Sequence, residues 1–186
     1  MHSEVQAWEA PLLSLAYQAQ PEVMPDDPRQ IHRKTLFRAY AYCNAMTAAN
    51  SRSFYLASRL LPKAKRRATR ALYAFCRVSD DIIDEGGADR MERWTAWRHR
   101  LELAVPPVDD LVATAWADAR LRYRVPGRYV EQLLDGVAAD LHTSRYATFA
   151  DLAAYSYGVA STVALMSMHI IGFTSNDAIP YAVKLG

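Results

Sequence analysis

Apolar residues recur at three- and four-residue intervals along most of this chain, and no run alternates apolar with polar for long enough to predict a strand. The pattern predicts helices over residues 35–49, 62–84, 90–104, 108–125, 126–142 and 148–173, with another beginning at Thr174. Between them stand breakers of known effect. Pro62 and Pro126 suit first helical turns, Gly86-Gly87 ends a helix and Pro106-Pro107 interrupts one. Seven or eight helices without a strand describe an all-α bundle. Residues 1–30 differ: Pro11, Pro21, Pro25 and Pro28 surround a short apolar patch, Trp8 to Tyr17. That predicts a loosely ordered N-terminal tail with room for one short helix, ahead of a single helical domain over 31–186.

One stretch stands apart. Arg70 to Asp84 has no Gly or Pro and carries apolar residues (Ala71, Leu72, Ala74, Phe75, Val78, Ile82, Ile83) on nearly every side, the pattern of a helix buried in a larger bundle. At 100° per residue, Tyr73, Arg77, Asp80 and Asp84 nevertheless fall within a stripe about 60° wide. Two carboxylates one turn apart repel, and burying them without a counter-charge is costly, so something cationic is expected to answer them. A divalent cation is one answer, because Mg²⁺ takes a few carboxylate oxygens and fills its other positions with water or phosphate. The plainer alternative is a solvated acid pair, with Arg77 paired to Asp80 or Asp81.

Asn50-Ser51-Arg52-Ser53-Phe54 joins two predicted helices and combines hydroxyls with an arginine, which suits either phosphate contact at a helix junction or ordinary capping. Lys63, Lys65, Arg66, Arg67 and Arg70 form a basic cluster that suits an anionic substrate, an anionic membrane surface or a solvated helix face. The net charge of +2 over 186 residues gives no argument for a nucleic-acid partner. The only two cysteines, Cys43 and Cys76, lie in apolar helical sequence and read as buried free thiols of a reducing compartment. No run of 18 apolar residues and no charged leader followed by an apolar core occurs, so the chain is expected in the cytoplasm. Met91, Trp94, Trp97 and Leu101 recur at helical spacing and read as packing, and His142 has no second His or Cys at a ligand spacing.

Three segments together resemble the squalene/phytoene synthase family of head-to-head isoprenyl diphosphate synthases. They are Asn50 to Phe54, then Tyr73 to Asp84, then Leu134-Asp135-Gly136 through Asp140-Leu141 and Arg145-Tyr146, followed by Tyr155 to Val163. The resemblance covers residues 40–186 and is nearest to bacterial phytoene synthase. It implies a class I isoprenoid-synthase helical bundle, incomplete at the C-terminus of this chain, whose cavity holds prenyl diphosphates. By position, Asp80 and Asp84 would ligate Mg²⁺, with Mn²⁺ as the alternative, while Arg77, Arg52, Ser51, Ser53 and Tyr73 would hold or orient diphosphate. Phe54, Phe75, Tyr155, Val159, Val163 and Leu165 would line the cavity. The implied chemistry joins two geranylgeranyl units through a cyclopropyl diphosphate intermediate, giving phytoene for carotenoid biosynthesis. Peripheral association with the inner face of a membrane is a further expectation, and oligomeric state stays open.

Two departures from the family pattern bear on this. Ser161 and Ala164 stand where the family usually has Gly, which leaves the local helix shape open. The family's second Asp-rich motif is expected beyond Gly186, so this chain is expected to be the N-terminal part of a longer enzyme and to turn over poorly alone. Other readings stay in view: squalene or dehydrosqualene synthesis from farnesyl diphosphate, a non-catalytic relative serving as a binding module, and a structural bundle with surface acid pairs.

Overall fold

A computed structural model of the chain describes residues 6–19, 31–143 and 145–186. Among them are ten α-helices and no strand. In chain order they are α1 (Glu9–Gln18), α2 (Arg33–Asn50), α3 (Arg52–Ser58), α4 (Lys63–Asp84), α5 (Arg90–Glu102), α6 (Leu111–Arg122), α7 (Gly127–Ala139), α8 (Phe149–Ser156), α9 (Thr162–Ile171) and α10 (Ile179–Leu185). They fall into two compact units, Met24–Val125 and Met1–Val23 with Pro126–Gly186, where the pattern of residues predicts one domain over 31–186. No helix among the described residues is long and apolar enough to cross a membrane.

The unit within Met24–Val125 is built on α2, α4 and α6. Small residues let the three helices approach closely: Ala39 and Cys43 on α2, Ala68, Ala71 and Ala74 on α4, and Ala113, Ala115 and Ala119 on α6 are all buried. Phe75 fills the centre, fully buried, with the Trp116 ring parallel to it at 5.0 Å and the Trp97 ring at 6.4 Å. The Trp97 indole N–H donates to Ser79 Oγ at 2.9 Å, and that hydroxyl donates to the Phe75 carbonyl at 2.9 Å. Tryptophans 94 and 97 are therefore packing residues, as their helical spacing implies. Cys43 is a buried free thiol whose pKa is pushed up to about 12 by burial, whereas Cys76, also free, is only half-buried. Gly86 and Gly87 close α4 with φ of 69° and 99°, the left-handed region that glycine enters without strain.

In the other unit, α7 packs on the segment that follows α8. The predicted continuous helix over 148–173 is instead α8, a π-helical turn at Tyr157–Ser161 and α9. At this interruption the Thr162 hydroxyl donates to the Gly158 carbonyl at 2.6 Å. The backbones meet so closely at Gly136 and Gly158 that a Cβ on Gly136 would lie 2.8 Å from Gly158 Cα. Ser161, one of the departures from the family pattern, donates to the Val183 carbonyl at 2.8 Å and so fastens α10 to the π turn.

Part of the expected loose tail is ordered here. Helix α1 buries Leu12 and Ala16, the Tyr129 hydroxyl donates to the Ala16 carbonyl at 2.8 Å, and Lys184 pairs with buried Glu9 at 3.3 Å. Apolar burial on α7 and α10 overcomes the proline-rich surroundings. The remainder of that expectation, residues 1–5 and 20–30, lies outside the described residues.

The Gly136 contact leads to a prediction. Gly136→Ala should lower the stability of the chain by about 1–3 kcal/mol, because backbone cannot move aside as a flexible side chain can. Urea denaturation of both proteins measures it; an unchanged midpoint would mean that the two helices separate freely at this point.

Candidate active site

Helix α4 begins after Pro62 and ends beside Gly86-Gly87, and its 22 residues bury Ala68 through Leu72, Ala74, Phe75, Ser79, Ile82 and Ile83. With that much surface committed to packing, the Tyr73, Arg77, Asp80 and Asp84 edge points outward. Asp80, Asp84 and Arg77 are exposed and Tyr73 is half-buried. This corrects the premise of buried acids: the carboxylates remain in water, and no desolvation forces a cation upon them.

The structure also decides between the partners open to Arg77. Its guanidinium pairs with Asp81, Nη2 to Oδ1 at 2.7 Å and Nε to Oδ2 at 3.1 Å, one helical turn along. Both side chains are substantially exposed, so the pair contributes no more than about 0.5 kcal/mol to stability. Asp80 and Asp84 lie one turn apart on the neighbouring line of the helix, the like-charge arrangement that disfavours a helix slightly. Two carboxylates presented to solvent suit a hard cation that keeps water or phosphate on its other faces. Among the described residues no three His, Cys, Asp or Glu side chains converge as a ready-made metal site. The donor set therefore fits a cation held in part by a ligand, and does not fit an all-protein cage.

The Asn50–Phe54 junction is positioned by α3. Ser51 is its N-cap, and the Ser51 Oγ accepts from the Phe54 N–H at 3.4 Å, so the capping role is realised. Arg52, Ser53 and Phe54 are exposed, and the Phe54 ring stacks on Tyr73 with centroids 5.2 Å apart and planes 25° from parallel. That contact joins the junction to the α4 edge. The two segments picked out by their chemistry are brought together through their aromatic rings.

The remaining expected residues behave differently. Phe75 and Leu165 are fully buried core residues, which removes them from the expected cavity lining. Tyr155 and Val159 belong to the other unit, where Tyr155 is half-buried, donates to Asp140 Oδ2 at 3.1 Å and lies against the Tyr146 ring at 5.0 Å. Val159 sits half-buried in the π turn.

Arg70 is the residue that sequence reasoning misplaced. Grouped by position with a basic cluster, it is only 5% exposed and is held by three neutral acceptors: Ser58 Oγ at 2.9 Å, the Tyr55 carbonyl at 2.9 Å and Asn44 Oδ1. Its guanidinium also lies 4.0 Å from the centroid of the Tyr55 ring. It ties α2, α3 and α4 together. No local signal distinguishes it from Arg66 or Arg67; only the cover that α2 and α3 give it does.

The exposure of the acid pair generates a stability prediction. Asp80→Ala should shift the unfolding free energy by no more than about 0.5 kcal/mol, since it alters an exposed side chain. A large loss of stability in urea denaturation would make Asp80 a structural residue.

The chain is similar to known proteins over most of its length. The squalene/phytoene synthase family model matches residues 47–186. The 15-cis-phytoene synthase of Synechococcus elongatus is 38% identical over 148 residues, covering 77% of this chain and 48% of that protein. The 4,4'-diapophytoene synthase of Staphylococcus haemolyticus is 32% identical over 163 residues, covering 82% of this chain and 55% of that one. A crystal structure of a dehydrosqualene synthase in complex with ligand superimposes with a TM-score of 0.74 at 31% identity, over 86% of this chain and 55% of that one. The chain thus spans about half the length of the relatives it matches. With an all-helical fold, an Asp-rich α4 edge joined to the Ser51–Phe54 junction, and a family model that covers most of its length, the chain belongs to the squalene/phytoene synthase family.

Proposed function

We propose that the chain carries the first acidic, diphosphate-binding half of an enzyme that condenses two geranylgeranyl diphosphates head to head into phytoene, through a cyclopropyl diphosphate. The observation that carries this reading is the α4 edge, where Arg77, Asp80 and Asp84 are exposed together on a helix otherwise given over to packing. Asp80 and Asp84 are the residues to hold a divalent cation, Mg²⁺ or Mn²⁺. When bound, that cation would neutralise charge on the departing diphosphate.

The residues of the chain have their own parts. Arg77 exchanges a weak, exposed pairing with Asp81 for diphosphate oxygens, and Arg52 meets the same group from the start of α3. Ser51 Oγ accepts from the Phe54 N–H, which leaves its own O–H proton to donate, and Ser53 presents a second hydroxyl. Fixed donors of this kind stabilise the leaving diphosphate as charge develops on it. The stacked Phe54 and Tyr73 rings offer an apolar, electron-rich surface to an allylic cation and keep water from it. Tyr155 and Val159 are assigned to the substrate from the family resemblance alone.

A second reading, condensation of farnesyl diphosphate to the C30 product, is supported by the likeness to a dehydrosqualene synthase structure. Peripheral attachment to a membrane remains part of the proposal, as the substrates and products are strongly apolar.

Assays of the chain alone, and of a version extended to the length of its relatives, should separate these readings when run with labelled geranylgeranyl and farnesyl diphosphates, with and without Mg²⁺. Phytoene formed from the C20 substrate in the extended version, only with Mg²⁺, is the expected outcome. In that version Asp80→Ala should reduce turnover at least about a hundredfold, the scale on which an electrostatic contribution of this kind is lost. Consumption of neither substrate, or an Asp80→Ala variant of full activity, would sink the proposal.

A further inference from the structure

A second charged feature lies at the other end of α4. A cleft of about 530 Å³ opens between α2, α3 and the start of α4, lined by Arg59, Lys63, Arg66, Arg67 and Arg70 together with Tyr40, Asn44 and Tyr55. From Arg67 to Asp80 is thirteen residues, about 20 Å along the helix axis, and Arg70, the cleft residue of α4 nearest the acids, is about 15 Å from Asp80.

The electrostatics of this cleft are one-sided. Among the described residues, none of its five cations pairs with a carboxylate; Arg66 reaches only the Arg59 carbonyl, at 3.4 Å. Arg70 is the independent observation. It is buried in the wall with every hydrogen bond directed to a neutral acceptor, so its charge is satisfied in geometry but not neutralised. Burial and the neighbouring Arg66 and Arg59 charges lower its pKa, as expected of a cation that lacks a counter-ion. The α4 macrodipole adds to the same field, because its positive end lies beside Lys63, where basic side chains are disfavoured and an anion is favoured.

We propose that this cleft is an anion site of its own, built for a phosphate-bearing ligand, with Arg59, Lys63, Arg66 and Arg67 contacting the phosphate and Arg70 fixing the wall behind it. The volume exceeds that of a diphosphate, and Phe37 lines the same cleft while 68% exposed, so the ligand carries an organic portion as well. Free phosphorylated metabolites and the headgroups of anionic lipids share this chemistry. The proposal does not rest on the prenyltransferase reading, since it invokes neither Asp80, Asp84 nor a metal.

The test is calorimetric titration of the chain with inorganic diphosphate in EDTA, which removes any divalent cation, alongside sedimentation with vesicles of phosphatidylglycerol or of phosphatidylcholine. Arg66→Gln/Arg67→Gln should weaken binding at least tenfold, and Arg59→Gln should weaken it in the same direction; a thermal melt checks that each variant is folded. Binding of diphosphate identifies a free phosphate ligand, and binding of phosphatidylglycerol vesicles without diphosphate identifies a lipid headgroup. Absence of binding to both, or an unchanged affinity in the double variant, would overturn the proposal.

Discussion

The position of Phe75 constrains much of the Met24–Val125 unit. Its ring is stacked parallel to Trp116 and faces Trp97, whose indole is tied through Ser79 to the backbone of Phe75 itself. A helix is rigid about its own axis, so fixing one side chain fixes the orientation of all. Phe75 lies about 190° round the helix from the centre of the stripe formed by Tyr73, Arg77, Asp80 and Asp84, so holding it inward turns that stripe outward. Aromatic packing on one side of α4 thereby presents the acid pair on the other.

The charges of α4 run against its own dipole. Basic residues crowd its first turns and acids its last, and it has no acid in the first turn and no base in the last. Each such placement costs a helix a few tenths of a kcal/mol or more at an exposed site. Packing of the apolar faces, together with the hydrogen bonds of Arg70 to α2 and α3, stabilises the helix against this. The same arrangement leaves one end attractive to cations and the other to anions. A helix optimised only for stability would carry the opposite polarity.

The other unit depends on close backbone approach. Gly136 and Gly158 meet without side chains between them, and the π turn at Tyr157–Ser161 adjusts the direction of the helix at that contact. Ser161 supplies a hydroxyl that fastens α10 through the Val183 carbonyl. A glycine there would lack this bond.

Local rules made the helices, their breakers and the acid stripe legible in the amino-acid sequence, because helical periodicity and proline or glycine punctuation act within a few residues. The relation of Asp80 to Asp84, and the combination of segments that marks the family, needed nothing further. The tertiary structure alone decided that the acids are exposed, that Arg77 pairs with Asp81, that Phe75 and Leu165 are core and that α1 is packed against its unit. It also decided that Arg70, one of five neighbouring cations in sequence, is the buried one. These outcomes depend on what lies opposite each side chain, Asn44 and Ser58 for Arg70 or Trp116 for Phe75, and those partners are distant in sequence. Spacing along a helix sets the direction in which a side chain leaves it; burial and partner are set by whatever the fold brings to meet it.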